Sequence, residues 1–333
     1  MNKKLFVIFL FVFSASLIYG DPQDEEIEKV ENVEEIDISD IKDASSLWKL
    51  FLDSPNLKTG VDILIRLGDL GKGNKSIIDN LNSYLMGKNL LFKSGESVNY
   101  TLVSACISAI MDLGDSSSYP ALFSVLYAGY PEVIASEAEG ALEIIPGNLY
   151  QFLVNVIYYN SPEEKFAAFR IGANSDRLNV SQQGQLAELA LEQGLNADEE
   201  NIDMTVMRYS AVILLTQLRW TRANSLAIRH YYRVQADYLH NLATKERYIE
   251  AIDCLGAVGN SDATSILGLQ LGLINVKTER TGSFDAEITM AVVQALGNIG
   301  FNAAFDQLLY VSNLSYPENI QAAAREAVAR LKW

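Results

Sequence analysis

Arginine and tyrosine are concentrated between residues 208 and 247 of a chain that is otherwise acidic. Seven basic residues against two acidic ones give this stretch a charge of +5, whereas the whole protein carries −16. Arg222, Arg229 and Arg233 are seven and four residues apart, which aligns them on one face of a helix. Guanidinium groups bind carboxylates, and Arg and Tyr are enriched at protein interfaces. The stretch therefore predicts a binding surface for an acidic protein partner, made of Arg219, Arg222, Arg229, Tyr232, Arg233 and Tyr238.

Two other interpretations of this stretch stay open at the level of sequence. Aromatic side chains of helices are more often part of the core than of a binding site, so the tyrosines also fit packing between helices beneath a solvated ridge. Alternatively, the partner of this surface is the chain's own acidic segment at residues 21–43, docked there until another protein displaces it.

The remaining candidates for chemistry have a simpler structural explanation. Residues Gly68 to Ser76 read G-D-L-G-K-G-N-K-S, which is similar to a phosphate-binding loop, but Asn74 separates Gly73 from Lys75 and no strand precedes the loop. We expect a turn between helices there. His230 and His240 are ten residues apart, about 280° around a helix, so they cannot share one metal ion. The sequence therefore predicts no metal site, no cofactor and no catalytic residues.

A five-residue phrase recurs at the ends of apolar stretches that have helical periodicity. Its four copies are Leu67–Gly71, Ile110–Gly114, Leu255–Gly259 and Leu296–Gly300. The final glycines are 43 residues apart in the first two copies and 41 in the last two, within the roughly 40 to 47 residues of HEAT and armadillo repeats. A degenerate copy, Leu215–Arg219, has lost the glycine.

The glycines of the phrase have two expected functions. The final glycine ends a helix at a position that favours positive φ, which only glycine adopts without strain. The second residue is glycine in three of the four copies, and we expect it to allow a neighbouring helix to approach closely. A single pair of helices cannot bury its own apolar face, so successive pairs must stack.

On these repeats the chain resembles bacterial HEAT-repeat proteins, including the HEAT-like repeats of phycobilisome lyases, over residues 57–333. The resemblance implies an all-α fold, a right-handed α-solenoid of stacked antiparallel helix pairs with almost no β structure, which we place at residues 44–333. Members of this family are mostly binding scaffolds. We therefore predict a non-catalytic protein-protein interaction scaffold. The alternatives are a lyase-like or other enzyme built on HEAT-like repeats, and a structural component of an envelope assembly.

The repeat pattern is hard to follow between residues 146 and 203. Helical runs are nevertheless expected at Gln151–Tyr159, Glu163–Ile171 and Gln182–Gln193. Cys106 and Cys254 each lie in an apolar helical run and are predicted to be small buried core residues.

The N-terminal region predicts export from the cytoplasm. Lys3 and Lys4 precede a short apolar run, and small residues follow it, so residues 1–20 are predicted to be a secretory signal peptide. Residues 21–43 contain eleven acidic and two basic residues, a charge of −9, and are predicted to be a flexible acidic leader. We expect a periplasmic or secreted protein without membrane insertion after cleavage; the alternative is that the signal is retained as an uncleaved membrane anchor. The acidic balance argues against nonspecific nucleic-acid binding, which needs a basic surface.

Overall fold

The structure is a computed structural model that describes residues 37–53, 56–198 and 200–332. Within these ranges the chain forms sixteen α-helices and three short 3-10 helices, and its only β pairing is an isolated bridge between Phe301 and Lys332. The predicted all-α class is confirmed. The predicted signal peptide and residues 21–36 of the predicted leader lie outside the described residues. No helix in the described part of the chain is long and apolar enough to span a membrane.

The helices follow one another with short connections. Their bounds are α1 Ala44–Leu52, α2 Leu57–Leu70, α3 Lys75–Lys93, α4 Tyr100–Leu113, α5 Tyr119–Leu126, α6 Glu132–Ile144, α7 Leu149–Tyr159, α8 Pro162–Asn174, α9 Val180–Asn196, α10 Ile202–Leu218, α11 Asn224–Leu239, α12 Lys245–Val258, α13 Ser261–Thr281, α14 Ala286–Ile299, α15 Phe305–Val311 and α16 Glu318–Ala329. The three runs expected between residues 146 and 203 lie within α7, α8 and α9.

Asparagine defines the start of many of these helices. Seven helices follow an Asn whose side-chain oxygen accepts hydrogen bonds from amides of the first turn; these residues are Asn56, Asn74, Asn99, Asn148, Asn179, Asn201 and Asn260. Such a cap satisfies amides that have no partner within the helix and is worth about 1 kcal/mol. The caps therefore specify from the sequence where each of these helices begins.

Residues 37–43, the last part of the predicted leader, lie against α2. Arg66 Nη2 donates hydrogen bonds to the carbonyl oxygens of Ser39 (2.5 Å) and Ile41 (3.0 Å). Ile41 packs on the hydrophobic core, and Asp43 accepts a hydrogen bond from the first turn of α1. These residues are held by defined contacts.

Helices contact each other in two alternating sets. Each odd-numbered helix contacts the even-numbered helix that follows it, from α1 with α2 to α15 with α16. Even-numbered helices also contact the next even-numbered helix, from α2 to α6 and again from α8 to α16. Odd-numbered helices do the same from α1 to α5, from α7 to α11 and between α13 and α15. Aliphatic side chains between these neighbours form a hydrophobic core along the described chain.

The even-numbered set is interrupted between α6 and α8, which contact each other only marginally. Arg177, in the loop after α8, extends to the end of α6. Its Nη1 donates to the carbonyl oxygens of Leu142 and Ile145, both at 2.8 Å, and its Nη2 donates to the carbonyl oxygen of Gly147 at 2.9 Å. One guanidinium therefore satisfies three carbonyls at the end of α6 and joins the helices on the two sides of the interruption.

The second residue of the repeated phrase lies where even-numbered helices approach most closely. A Cβ atom on Gly256 would lie 2.8 Å from Ala295 Cα of α14, and one on Gly297 would lie 2.8 Å from Ala327 Cβ of α16. Gly68 faces α4 in the same way. The prediction that this residue allows close helix approach is confirmed.

The final glycine of the phrase has two different functions. Gly114 and Gly300 have φ of 65° and 79°, as predicted. Gly71 and Gly259 have φ of −86° and −70°, so the prediction of positive φ is wrong for them. A Cβ atom on either of these two would lie 2.7 or 2.3 Å from the carbonyl oxygen four residues earlier. At these positions glycine is required by lack of space.

Arg219, in the degenerate copy, ends α10 in the left-handed conformation, with φ 50° and ψ 48°. This conformation costs a residue with a Cβ atom about 1 to 2 kcal/mol, and the greater freedom of glycine in the unfolded chain offsets part of that cost. We expect Arg219→Gly to raise the free energy of unfolding by about 0.5 to 1 kcal/mol, measured by urea denaturation followed by circular dichroism.

The matched control is Gln217→Gly, two residues earlier and inside α10. Glycine in a helix interior is destabilising, so this variant should lower the free energy of unfolding by about 0.5 to 1 kcal/mol. If both variants lower stability, the left-handed conformation of Arg219 carries no strain.

Candidate functional site

The predicted arginine and tyrosine surface is centred on α11, and its arginines turn toward α9. Arg222 Nε donates to Glu188 Oε2 at 2.7 Å, Arg229 Nη2 to Asn196 Oδ1 at 3.0 Å, and Arg233 Nη1 to the carbonyl oxygen of Leu195 at 3.3 Å. Arg229 and Arg233 lie on α11, whereas Arg222 lies in the short 3-10 helix Thr221–Ala223 that precedes it, and all three side chains contact α9. This side of the surface makes contacts between neighbouring helices and also presents exposed guanidinium groups.

The other three predicted residues lie apart from this row. Arg219 is exposed at the end of α10, and Tyr232 is half-exposed on the outer side of α11. Tyr238 is partly buried and its ring stacks on that of Tyr248, with centroids 5.0 Å apart. The predicted surface therefore divides into arginines that contact α9 and a tyrosine that faces the opposite side of α11.

His230 lies on the buried side of α11, where three arginines surround it. Burial lowers the pKa of His230 to about 3, and the charges of Arg208, Arg233 and Arg247 contribute in the same direction. Within the described residues, neither ring nitrogen of His230 has a hydrogen-bond partner. Tyr209 lies edge-on to the imidazole, with ring centroids 5.4 Å apart. The imidazole is therefore neutral at ordinary pH and adds no charge to the surface above it.

A cleft of about 510 Å³ opens between α11 and α13, which contact each other only marginally. Its walls are mostly apolar and are formed by Tyr238, Leu239, Leu273, Ile274, Phe284 and Ile288. This volume lies within the usual range of ligand sites, about 300 to 1,000 Å³. The cleft is therefore a candidate binding site.

A small polar network lies on one side of this cleft. Gln235 Nε2 is 3.0 Å from both Tyr231 Oη and Tyr248 Oη and 3.1 Å from Gln270 Oε1. These groups bond to one another, so the side chains of Tyr231, Tyr248, Gln235 and Gln270 have hydrogen-bond partners without a ligand. The network fixes the orientation of the Gln235 and Gln270 amides at the cleft.

In the described part of the chain, the cleft has a carboxylate that is part of an ion pair and a lysine that is not. Asp285 lies 3.6 Å from Lys245 Nζ, and Lys245 also bonds Glu287. Lys277, which lines the cleft from α13, is exposed and has no ion pair or hydrogen bond through its ammonium group among the residues that the structure describes. The cleft therefore offers one ammonium group that is available to a ligand.

Next to the cleft, α13 presents an apolar ridge to solvent. The ridge consists of Leu269, Leu273 and Val276, which are 68%, 61% and 42% exposed and follow the spacing of one helical face. On its other side a second cleft, about 430 Å³, runs between α13 and α15 past Gly268 and Gly272. An apolar surface of this kind, flanked by clefts, is typical of a protein-interaction site.

This ridge was not predicted from the sequence, although a signal was present. The opposite side of α13 buries Leu267 and Leu271, so this helix is apolar on two faces. A surface helix that packs on a core needs only one apolar face. The second face indicated either a further layer of protein or an exposed binding surface.

The remaining candidate residues from the sequence lie in a turn, in the core or at a helix end. Residues Gly68 to Ser76 form the end of α2, a turn and the start of α3, without a preceding strand. Cys106 and Cys254 are buried and unpaired with each other, as predicted, and burial raises the pKa of Cys254 to about 11. His240 is exposed at the end of α11. The described ranges contain no group of three or more potential metal ligands.

No protein-family model matches the chain, and no curated protein matches it either.

Proposed function

We propose that the protein is a non-catalytic scaffold that binds other proteins in the bacterial cell envelope, in the periplasm or after secretion. The observation that carries this proposal is the ridge Leu269–Leu273–Val276 with a cleft on each side. Burying three such side chains against a partner removes apolar area from water, which favours association by roughly 25 cal/mol per Å² before the cost of bringing the two proteins together is subtracted. The predicted signal peptide at residues 1–20 supports the location.

We further propose that the helices are HEAT-like repeats stacked as a right-handed α-solenoid. Two observations support this arrangement: consecutive helices contact each other in pairs, and the repeated phrase always ends an even-numbered helix, α2, α4, α12 or α14. In such an array each pair contacts only its neighbours, and the helices of one layer form an extended surface for a partner. The arginines of α11 are the predicted second surface, for an acidic partner.

The test is photo-cross-linking from the ridge in the cells that produce the protein. A photoreactive phenylalanine analogue replaces Leu269, and in a control it replaces Val133, which is equally exposed, at 69%, but lies on α6. We expect a protein adduct from position 269 and none from position 133. The partner, identified by mass spectrometry and purified, should bind at least tenfold more weakly to Leu273→Asp.

The same binding assay tests the arginine surface and the competing functions. Arg229→Glu should weaken binding of an acidic partner and reduce its dependence on salt concentration. If position 269 gives no adduct while a small molecule co-purifies with the protein, the scaffold proposal is wrong and an enzyme or carrier is indicated.

A further inference from the structure

The gap between α11 and α13 differs from the neighbouring parts of the same layer. Helices α9 and α11 contact each other, and so do α13 and α15, whereas α11 and α13 are separated by the 510 Å³ cleft. The cleft is bounded by Leu239 on the α11 side and by Leu273 on the α13 side, and both side chains are largely exposed. Space for a large apolar side chain is therefore open at this point.

The charges at the cleft determine which polar group of a ligand fits beside an inserted apolar side chain. Asp285 shares the ammonium group of Lys245 with Glu287, whereas the ammonium group of Lys277 has no ion pair in the described ranges. Lys277 is the one basic residue among the described residues that line this cleft. A carboxylate is the complementary group.

The continuity of the apolar surface indicates a peptide segment as the occupant. The ridge extends from Leu269 to Val276, about 10 Å along the helix axis, and connects the first cleft with the second one. A small amphiphile in the first cleft would leave most of the ridge in water. An amphipathic segment of a partner protein can cover the ridge and fill both clefts.

We propose that the α11–α13 cleft is the anchor site for an acidic amphipathic segment of a partner protein, which inserts one large apolar side chain and places a carboxylate against Lys277 Nζ. The inference rests on the proposed scaffold function and specifies the chemistry of the partner. Gln235 and Gln270, whose amides are fixed in the polar network, lie where they can bond the backbone of the inserted segment.

The experiment is selection of a random peptide library displayed on phage against the purified protein, against Lys277→Glu and against Leu273→Asp. The wild type should enrich peptides that combine a large apolar residue with an acidic residue within one helical turn. Lys277→Glu should enrich a basic residue at the acidic position, and Leu273→Asp should enrich neither class.

The affinities of synthetic peptides then measure the ion pair between Lys277 and the acidic residue of the peptide. The acidic consensus peptide should bind Lys277→Glu about tenfold more weakly than the wild type, and its Glu→Lys variant should recover that loss on Lys277→Glu. Arg170→Glu makes the same change of charge at an exposed arginine of α8 that does not line the cleft, and it should leave the affinity unchanged. Lys277→Met, which adds no negative charge near Asp285, should give an intermediate affinity.

Three outcomes would overturn the proposal: no enrichment by the wild type, enrichment of the same peptides by Lys277→Glu, or undiminished binding to Leu273→Asp. They are distinct from failure of the proposed function. An adduct from position 269 together with an unchanged consensus on Lys277→Glu refutes the carboxylate anchor alone. A charge-dependent consensus without a cellular adduct, together with a co-purifying small molecule, refutes the scaffold function while the peptide-binding chemistry of the cleft stands.

Discussion

Arg177→Met is expected to lower the free energy of unfolding by about 2 to 3 kcal/mol. The guanidinium donates to three carbonyl oxygens at the end of α6, those of Leu142, Ile145 and Gly147, and hydrogen bonds from a charged donor are worth about 1.5 to 3 kcal/mol each. Arg177 is partly exposed, so water recovers some of this energy after truncation. The positive charge also lies at a helix C-terminus, where it is favourable.

The position of Arg177 adds a second expected effect. Because α6 and α8 contact each other only marginally, few other interactions join the helices on the two sides. They include the rings of Tyr119 and Phe123 in α5, which pack against Phe152 of α7 with centroids 5.5 and 5.7 Å away, and the ion pair between Lys93 of α3 and Glu163 of α8 at 3.1 Å. Loss of Arg177 should therefore weaken cooperativity, and the slope of the urea transition should decrease.

Urea denaturation and hydrogen exchange measure the two effects separately. In Arg177→Met, peptides of α6 and α7 should lose protection before those of α12 and α14. Arg170→Met is the control, because Arg170 is an exposed arginine of α8. A loss of less than about 0.5 kcal/mol in Arg177→Met, equal to that in the control, would contradict the assigned function of Arg177.

The repeated phrase predicted the all-α fold because its glycines are required by local features of helices, namely close approach and termination. Gly256 and Gly297 mark close approach of helices, and that property depends only on a missing Cβ atom and a neighbouring small residue. Gly71 has the same place in the phrase as Gly114 but a negative φ. Two different requirements, space and positive φ, select the same residue type, and sequence alone does not separate them.

The candidate site was only partly predictable. The spacing of Arg222, Arg229 and Arg233 predicted a common side, and all three do contact α9, but Arg222 lies in the 3-10 helix before α11 and the partners on α9 depend on how two distant segments pack. The α11–α13 cleft depends on a gap between helices, which no local pattern records. Leu269 and Leu273 were visible as a second apolar face of α13, and only the structure shows that this face is exposed.

The stability of the protein should depend on pH through His230. The pKa of this imidazole is about 3 in the folded protein and near 6.5 in the unfolded chain. Between these values the unfolded state binds a proton that the folded state does not, so stability is lost as pH falls from about 6.5 toward 3. The contribution is about 1.4 kcal/mol per pH unit, or about 2 kcal/mol at pH 5.

His230→Leu should remove this dependence. Leucine has a similar volume, is apolar and favours a helix, so at neutral pH we expect equal or slightly higher stability than in the wild type. At about pH 5 the variant should be more stable than the wild type by roughly 2 kcal/mol beyond any difference at about pH 7.5. Carboxylates titrate in both proteins, so the difference between the two curves isolates the imidazole.

The arginines around His230 add to the effect of burial on its pKa. Arg208 on α10, Arg233 on α11 and Arg247 on α12 surround the imidazole, and each disfavours its protonation.

His240→Leu, which replaces an exposed histidine at the end of the same helix, is the control for a histidine that folding does not enclose. Urea denaturation at several pH values measures all three proteins. Parallel curves for the wild type and His230→Leu would show that His230 takes up its proton in the folded state, and would refute the burial argument.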